Sequence, residues 1–470
     1  MTERLNIVII GAGLVGSALA KFFFEENHHV TVIDRNPQML ESIKDSLDVL
    51  TIKGNGASPG VLRDAALDKA SLLLAVTDFD EINMLACMVA QSLGVKYKIA
   101  RIRDKGYYSG NDNKLFEEKL GIDKIINPEN AVVKEIIQIL KFPGATEVAS
   151  FADERILEAG FHVNNPEFND KTIAEIGKNI LPRDVVLAAI HRKGKTIIPR
   201  GNNHLEKDDL VYLVAKPRSM KKIAYKISGL KEGSHRYIIY GGSRVGIELA
   251  MELEKLDAQV TLIEPDEDVC KNLANFLNDT LIIQGEGTDM ELLKDEGITQ
   301  AQAFISTTDS DELNIVASLL ARHLGVKNNI SLIRRNDYLD LLPAIGITTV
   351  STHTATAGTI IKYARRSQVQ TIFKNKEGQS EVFEVIVPEN CNLIGKTLME
   401  IDFPSNAIIT TIVNNEGVTI AKGDTQIYAN DRLIIFTLPE AIPEIEDILN
   451  QTKDSEGFTK RIFPLFFNKK

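Results

Sequence analysis

The sequence predicts an α/β protein with two doubly wound parallel sheets, each followed by a small α+β module. Three observations support this prediction: short Ile/Val/Leu runs alternate with amphipathic stretches, the whole pattern occurs twice, and each copy ends in short strands of its own. Near-continuous apolar runs are typical of strands that are covered on both faces. Strands that alternate with helices form right-handed crossovers, which build a parallel sheet.

Six apolar runs of the first copy are candidate strands of one sheet, and most stretches between them are long enough for helices or short crossovers. These runs are residues 5–10, 30–34, 49–53, 72–76, 98–102 and 123–126. The small modules contain the strand candidates 211–215 and 432–436. The pairs Asp208-Asp209 and Asn430-Asp431 precede these strands and are typical of turns.

Internal duplication organises the chain. Residues 5–16 (LNIVIIGAGLVG) match 237–246 (YIIYGGSRVG), residues 73–96 match 303–327, and residues 198–215 resemble 420–437 more weakly. We therefore predict four domains in the order A–B–A′–B′. We interpret the basic stretch 216–236 as a solvated linker rather than an anion-binding patch. The predicted domains cover 1–140, 146–227, 234–370 and 375–452, and a basic, Phe-rich tail follows at 458–470.

Composition argues against several classes of function. The 470-residue chain has a net charge of −11 and no Trp, so it is a poor candidate for binding nucleic acid, which requires clustered cations. No apolar run reaches the roughly 18–20 residues that span a bilayer. The N-terminal residues lead straight into a strand, and the three cysteines are isolated. We therefore expect a soluble cytoplasmic protein without a signal peptide, a disulfide or a metal site.

A glycine-rich turn marks the first strand-to-helix junction. It reads Gly11-Ala12-Gly13-Leu14-Val15-Gly16 and has the pattern of Rossmann-like sheets. Gly11 would allow the tight turn, Gly13 would let a pyrophosphate approach the backbone, and Gly16 would let helix and strand pack closely. The free N–H groups and the dipole of the helix would then face the phosphates.

An acidic residue follows at a suitable distance. Asp34 ends the second strand, 23 residues after Gly11. A carboxylate there accepts hydrogen bonds from both ribose hydroxyls of an adenosine and would repel a 2′-phosphate, which favours NAD(H) over NADP(H). Arg35 leaves an alternative open, because it could accommodate a phosphate or stack on adenine. The turn and the acid together predict a dinucleotide site in the first copy.

Further candidates follow the other strands of the first copy, whose carboxyl ends should line the same crevice. Glycines could bring backbone close to ribose or adenine, a hydroxyl could bond to the cofactor, and arginines could reach phosphate. The alternatives are a simple loop turn, a helix N-cap at the aspartate and surface ion pairs at the arginines. The candidates are Gly54, Asn55, Gly56, Thr77, Asp78, Arg101 and Arg103.

The second copy departs from this pattern. Its turn contains Gly241, Ser243 and Gly246, so a serine stands where the second glycine belongs, and Arg244 follows it. Glu264 keeps the acid with one more methylene, whereas Glu286 replaces Asn55. The second site is therefore weaker, holds a different adenine nucleotide, or is empty; the sequence leaves these three alternatives open.

No catalytic arrangement accompanies the nucleotide folds. The eight histidines are scattered, and the sequence has no P-loop, GxSxG, HExxH or Cys–His pair. A dehydrogenase would need a substrate pocket and a proton donor or acceptor beside the nicotinamide. Two nucleotide folds, each with a small module, suit a sensor that changes shape better than the alternative, an NAD-dependent oxidoreductase. We therefore predict no enzymatic activity and no catalytic residues.

In combination, these motifs resemble the TrkA family, the cytosolic regulatory subunits of bacterial Trk potassium-uptake systems. The resemblance rests on GAGLVG at 11–16, Asp34, KGNGASPGVLRDAAL at 53–67, VTDFDEINMLACMVA at 76–90 and KIARIR at 98–103. It implies two tandem regulator-of-potassium-conductance (RCK) units, each with an N-terminal and a C-terminal lobe. It also implies that the protein binds NAD(H) and, in addition, ATP or ADP.

The same resemblance implies partners. Family members assemble as a dimer of dimers or a tetrameric ring beneath a membrane potassium channel of the TrkH or TrkG kind, or, as an alternative, serve another channel or exchanger. Residues 129–142 fall where the family has a crossover helix that contacts a neighbouring subunit. The tail 458–470 resembles the family's Phe-rich end, and its cations and phenylalanines suit the inner membrane surface or the channel's cytosolic face. We therefore expect a peripheral location on the inner face of the cell membrane.

Overall fold

The structure is a computed structural model that confirms the α/β class. It contains two six-stranded sheets of parallel strands, which alternate along the chain with two five-stranded antiparallel sheets. The structure describes residues 4–107, 119–152, 154–163, 165–207, 209–229, 235–339, 341–364, 372–374, 380–414 and 416–450.

The first parallel sheet is formed by the first copy. Its strands are β1 (Asn6–Ile10), β2 (His29–Asp34), β3 (Leu50–Lys53), β4 (Leu72–Ala75), β5 (Tyr97–Arg101) and β6 (Lys124–Ile126). They lie in the order β3-β2-β1-β4-β5-β6, and every neighbouring pair is parallel. The six strands predicted from the sequence are therefore confirmed, with boundaries that agree to within one residue.

Helices occupy connections between these strands, as the doubly wound pattern predicts, and one more helix follows β6. They are α1 (Leu14–Glu25), α2 (Pro37–Ser46), α3 (Pro59–Asp64), α4 (Asp80–Ser92) and α5 (Pro128–Lys141). Local chemistry sets where α2 begins: the Asn36 side chain accepts a hydrogen bond from the Gln38 N–H, and Pro37 needs no donor at the first helical position. The helix expected at 129–142 is α5.

One compact unit comprises the described residues of 2–134 and 350–369. Its apolar core contains Leu19 of α1, and it also includes two side chains from the second copy. These are Ala357 and Ile360 of α13 (Thr352–Ala364), at most 5% exposed. The Lys124 Nζ atom of β6 also lies 4.5 Å from the ring centroid of Tyr363. A helix of the second copy therefore completes the sheet layer of the first.

The other compact unit comprises the described residues of 135–349 and 370–470 and holds the remaining sheets. The second parallel sheet repeats the first, in the order β14-β13-β12-β15-β16-β17. Its strands are β12 (Arg236–Tyr240), β13 (Gln259–Glu264), β14 (Leu281–Gln284), β15 (Ala303–Ser306), β16 (Asn329–Leu332) and β17 (Thr348–Val350). Its helices are α8 (Arg244–Glu254), α9 (Glu267–Leu273), α10 (Met290–Asp295), α11 (Asp311–His323) and α12 (Asn336–Leu339).

Two antiparallel sheets form the small modules. The first contains β7 (Ala145–Phe151), β8 (Ile156–His162), β9 (Val185–Arg192), β10 (Lys195–Ile197) and β11 (Leu210–Ala215). The second contains β18 (Ile372–Lys374), β19 (Glu381–Ile386), β20 (Ala407–Asn414), β21 (Gly417–Ile420) and β22 (Arg432–Thr437). Their helices are α6 (Ile173–Asn179), α7 (Pro217–Ser228) and α14 (Ile442–Asn450). The two strands predicted at 211–215 and 432–436 are confirmed as β11 and β22.

The two antiparallel sheets pack against each other within this unit. One apolar cluster combines residues of both sheets, including Val214 of β11 and Ile434 of β22. The rings of Tyr212 and Phe436 meet at its centre, with centroids 5.9 Å apart. Each small module therefore buries one sheet face on the other module.

The interpretation of 216–236 as a solvated linker is wrong for residues 217–228. These residues form α7, whose apolar positions Met220, Ile223 and Ile227 are at most 1% exposed and belong to the core of the first antiparallel sheet. Gly229 ends the helix with a left-handed backbone (φ 65°). The basic residues occupy the outer positions of the helix. The basic composition therefore obscured the apolar residues that recur every three to four positions.

The turn predicted at Asn430-Asp431 is confirmed, because Asn430 has φ 65° and the Asp431 carboxylate accepts the Tyr428 N–H at 2.8 Å. Asp209 accepts the Glu206 N–H in the same way, while Asp208 lies outside the described residues. The tail 458–470 also lies outside them, and the four domain boundaries stay a prediction. Among the described residues, no helix is long and apolar enough to cross a membrane.

A buried hydroxyl cluster distinguishes the second parallel sheet from the first. The Ser306 Oγ atom lies 3.0 Å from the Ser318 Oγ and 2.9 Å from the Ser331 Oγ, and it donates to the Asn314 carbonyl. All three serines are fully buried. The first copy has Ala75, Cys87 and Ala100 at the same positions of the repeat.

This cluster gives a stability prediction. Ser306→Ala alone should lower the free energy of unfolding by about 1–3 kcal/mol, because the buried hydroxyls of Ser318 and Ser331 lose a partner. The triple variant Ser306→Ala/Ser318→Cys/Ser331→Ala, which copies the first sheet, should be close to neutral, since it removes all the hydroxyls together. Urea unfolding followed by circular dichroism measures both, and a triple variant less stable than the single one would contradict this account.

Candidate functional site

The strand order of the first sheet defines one crevice. The order reverses between β1 and β4, so the chain leaves these neighbouring strands toward opposite faces, and ligands of such sheets bind outside the carboxyl ends at that point. The candidates predicted from the sequence all follow strands at this edge. The glycine turn follows β1, Asp34 ends β2, Gly54 and Asn55 follow β3, Thr77 and Asp78 follow β4, and Arg101 and Arg103 lie at the end of β5.

Two glycines of the first turn, Gly11 and Gly16, have the steric roles that the motif predicts. Gly11 adopts φ +108°, which L side chains rarely adopt, and a Cβ there would lie 3.1 Å from the Thr77 nitrogen. A Cβ on Gly16 would lie 1.8 Å from the Gly11 carbonyl oxygen, so only glycine lets α1 pack this closely on β1. A Cβ on Gly13 would meet no atom within 4 Å.

The N-terminus of α1 is open. Gly13 is its N-cap residue, and no side chain in the described part of the chain caps the helix there. Leu14 at the first helical position is 47% exposed, whereas Val15 is buried in the core. The first turn of a helix has N–H groups without intrahelical partners and carries the positive end of the dipole. These groups are therefore available to an anion at the floor of the crevice.

Asp34 is anchored by the glycine turn itself. Its Oδ2 atom accepts the Ala12 N–H at 2.6 Å, and its Oδ1 atom accepts the Asn36 N–H at 2.7 Å. A carboxylate offers about four acceptor positions, so about two remain. Two adjacent acceptor positions match the paired hydroxyls of a ribose, and the backbone bonds hold them in a fixed orientation beside the open helix end.

The loop after β3 closes the crevice beside Asp34. The Gly54 N–H donates to the Asp34 carbonyl at 2.9 Å, and the Asn55 Oδ1 atom accepts the Ala57 N–H at 3.2 Å. A Cβ on Gly56 would lie 2.0 Å from the Ile10 side chain, so the loop lies directly on the end of β1. The Asn55 side chain therefore stabilises the turn of this loop, as the loop-turn alternative predicts. The backbone of the loop borders the crevice.

A buried asparagine that the sequence analysis missed organises the end of β4. The Asn83 Oδ1 atom accepts both the Thr77 N–H (3.0 Å) and the Thr77 hydroxyl (2.7 Å), and its amide donates to the Arg101 carbonyl (2.8 Å). The repeat contains the signal, because Asn314 makes the same bonds to Thr308 and Leu332. Thr77 is therefore held in place by α4.

Arg101 and Asp78 form a half-buried ion pair at the end of β5. The Arg101 Nη1 atom lies 2.9 Å from the Asp78 Oδ1; the Arg101 side chain is 5% exposed and that of Asp78 is 77% exposed. Burial lowers the pKa of Arg101 below its usual value, neighbouring Arg103 lowers it further, and Asp78 opposes both effects. The Arg101 Nε has no hydrogen-bond partner among the described residues. The N-cap alternative for Asp78 is wrong, because α4 begins at Asp80 with Phe79 as its cap.

Arg103 points to a different partner. Its Nε atom lies 3.6 Å from the Oε1 atom of Glu129, which is the first acidic residue of α5. Its backbone N–H donates to the Asp80 carboxylate, as the Arg334 N–H does to Asp311 in the second copy. Sequence reasoning missed Glu129 and Asp80, since nothing in their spacing distinguishes them from surface acids.

The second copy keeps the framework of the first. Gly241 has φ +106°, and a Cβ on Gly246 would lie 2.1 Å from the Gly241 carbonyl oxygen. The Glu264 Oε2 atom accepts the Gly242 N–H at 2.6 Å, and its Oε1 atom accepts the Asp266 N–H at 3.0 Å. The longer acid therefore occupies the same position relative to its turn as Asp34 does.

Around this framework the second crevice differs. Ser243 is the N-cap of α8, and its Oγ atom accepts the Gly246 N–H at 3.3 Å. Tyr240 replaces Ile10, and its hydroxyl lies 3.0 Å from the Glu286 Oε2 atom. Burial raises the pKa of Tyr240 to about 12, and Glu286 adds to this effect, so the phenol stays protonated and donates. Leu332 replaces Arg101.

Comparison with known proteins agrees with this geometry. The family model described as TrkA-N domain matches residues 7–128 and 237–353, and the model described as TrkA-C domain matches 162–227 and 382–450. The Trk system potassium uptake protein TrkA of Halomonas elongata is 32% identical over 92% of this chain and 96% of its own length. A homolog of TrkA from Archaeoglobus fulgidus is 34% identical over 94% of this chain and 100% of its own.

Solved structures share the fold. A structure titled as the GsuK RCK domain superposes with a TM-score of 0.56 at 20% identity, covering 95% of both chains. The GsuK channel bound to NAD also superposes with a TM-score of 0.56 at 20% identity, covering 95% of this chain and 79% of that one. The tandem match of both family models and the identity to full-length relatives confirm the resemblance predicted from the sequence. The chain belongs to the TrkA family of Trk potassium-uptake proteins.

Proposed function

We propose that this chain is a nucleotide-sensing regulatory subunit that binds NAD(H) in the first crevice and gates a membrane potassium-uptake channel of the TrkH or TrkG kind. The observation that supports it best is the combination of an uncapped α1 N-terminus with an acid, Asp34, that the glycine turn orients. The free N–H groups suit a pyrophosphate and the acid suits an adenosine ribose. The curated relatives are named for Trk potassium uptake, which suits a regulatory role.

The side chains of the first crevice favour particular nucleotides as ligands. NAD(H) is favoured over its 2′-phosphorylated form because the Asp34 carboxylate would repel that phosphate. ATP or ADP offers the same adenosine and a phosphate chain, so we include them as ligands of the crevice. A solved channel that shares the fold is titled as bound to NAD. Arg101 provides a nearly buried cation at the phosphate side of the crevice.

We propose that the protein acts without catalysis, as a homo-oligomer, most simply a tetramer, at the inner face of the membrane. Exposed apolar side chains lie at matching positions of α4 and α11, which is typical of surfaces that partners cover. Leu85 and Met88 of α4 match Val316 and Leu319 of α11, and α11 also exposes Leu313. A ligand that binds one ring shape about 100-fold more tightly than another would contribute about 2.7 kcal/mol per site toward that shape.

Reconstitution tests the gating proposal. When the chain is co-reconstituted in liposomes with its membrane transporter, NADH should change the rate of rubidium flux, because nucleotide occupancy shifts the conformation of the ring. The Asp34→Ala variant should bind the transporter but respond to NADH much less. Flux that is the same with and without the chain, at every nucleotide concentration, would contradict a gating role.

Replacement of Asp34 tests the ribose contact. Asp34→Ala should weaken NADH binding in calorimetry by about tenfold to a hundredfold, since two hydrogen bonds to a charged acceptor are lost. Glu264→Ala is the matched control, because it removes the same backbone anchor from the second turn. NADH affinity unchanged by Asp34→Ala would show that the site is wrongly placed.

Replacement of Arg101 tests the phosphate side. Arg101→Leu copies Leu332 of the second copy, and Asp78, already 77% exposed, can be solvated by water, so the melting temperature should stay nearly unchanged. NADH and ATP affinity should each fall at least about tenfold, because a charge-assisted contact is lost. Arg101 would have no role in binding if both affinities stayed at the wild-type value.

A further inference from the structure

The two glycine turns have the same backbone but different helix ends. Gly13 has φ −69° and ψ −171°, and Ser243 has φ −65° and ψ 169°, so the two N-cap residues adopt the same extended conformation. The N–H groups of α1 have no side-chain acceptor among the described residues. In α8 the Ser243 Oγ atom accepts the Gly246 N–H. One side chain therefore occupies, in the second crevice, a donor that phosphate oxygens would use in the first.

The Ser243 side chain also takes up space. At Gly13 a Cβ would extend into a volume where, apart from its own chain neighbours, no described residue has an atom within 4 Å, and this is the volume that a pyrophosphate needs. Ser243 places a Cβ and a hydroxyl at this position. A phosphate at the α8 terminus would therefore have to displace the hydroxyl from the Gly246 N–H and still clear the Cβ.

Charge in the second crevice adds to this effect. Glu286 stands where the first crevice has the neutral Asn55, and it is fixed by the protonated Tyr240 hydroxyl at 3.0 Å. Leu332 stands where the first crevice has the Arg101 cation, and Asp309 pairs instead with the more exposed Arg334. The second crevice has thus exchanged a neutral group for an anion and lost the buried cation, and both changes disfavour a ligand with two phosphates. Arg244, in place of Leu14, adds an exposed cation at the helix end, so the exclusion depends on Ser243 rather than on net charge.

We propose that Ser243 excludes dinucleotides from the second crevice, so that each chain binds one NAD(H), in the first crevice only. The serine hydroxyl stands in for the phosphate oxygen at the helix end, and Glu286 reinforces the selection. This inference rests on the proposed function of the first crevice. In this inference the second copy keeps the fold but does not bind NAD(H). The residue at the N-cap position determines this specificity.

Exchange of the N-cap residues tests the proposal. Gly13→Ser should weaken NADH binding at least about tenfold in calorimetry, since the new hydroxyl and Cβ occupy the phosphate position. The fold should be retained, because the backbone of Ser243 shows that serine fits this conformation and serine is a favourable N-cap. Gly177→Ser, another position where a Cβ meets no atom within 4 Å, is the matched control and should bind as the wild type does.

The reverse exchange gives an independent readout. Wild type should bind one NADH per chain, and Ser243→Gly/Glu286→Asn should gain a second, weaker binding event. Asp34→Ala should weaken the wild-type event by the factor given above and leave the gained one unchanged. Two events per wild-type chain, of which Asp34→Ala weakens one, would overturn the inference and leave the proposed function intact.

Two further outcomes separate the inference from the proposed function. If wild type binds no NADH, the proposed function fails. The double variant then tests the inference by itself: NADH binding gained by this variant supports the inference, and no binding overturns it. If Gly13→Ser binds NADH as tightly as the wild type does while Asp34→Ala does not, the proposed function stands and a serine N-cap is shown not to exclude a dinucleotide.

Discussion

A hydrogen bond between a backbone N–H and a carboxylate determines the geometry of both crevices. The Ala12 N–H donates to the Asp34 carboxylate, and the Gly242 N–H donates to the Glu264 carboxylate, each at a distance of 2.6 Å. Each bond joins the turn after one strand to the end of its neighbour, so the backbone of the glycine turn and the acid at the end of the next strand have a fixed separation. A site held in this way needs little rearrangement when a ligand enters, which lowers the entropic cost of binding.

The duplicated chain separates the parts of this site that both copies share from the parts that differ between them. The asparagine that holds the end of the fourth strand occurs in both copies, as Asn83 and Asn314, with the same partners. The residues that differ line the crevice: Gly13 becomes Ser243, and Arg101 becomes Leu332. The second sheet therefore keeps the hydrogen-bond framework of the first, although these crevice side chains differ.

The sequence allowed the strands, the repeat and the glycine turn to be predicted, because apolar runs and positive-φ glycines are local properties of the chain. Partners of polar side chains were not predictable. Glu129 reaches Arg103 across 26 positions, and the Arg101 ion pair depends on how β5 lies beside β4. The interpretation of residues 217–228 as a linker was wrong because the lysines on the outer face of α7 hid the apolar pattern of Met220 and its apolar neighbours. The composition of a segment counts the residues of both faces of a helix, whereas packing into a core depends on the residues of one face.

The position of α13 has a consequence for how such a chain could have evolved. This helix belongs to the second copy by sequence, yet Ala357 and Ile360 fill the apolar core beside α1 of the first. Gene fission between the copies would strip that surface from α1 and expose it to water. The first half is therefore not autonomous, because its apolar core depends on side chains that the second half supplies.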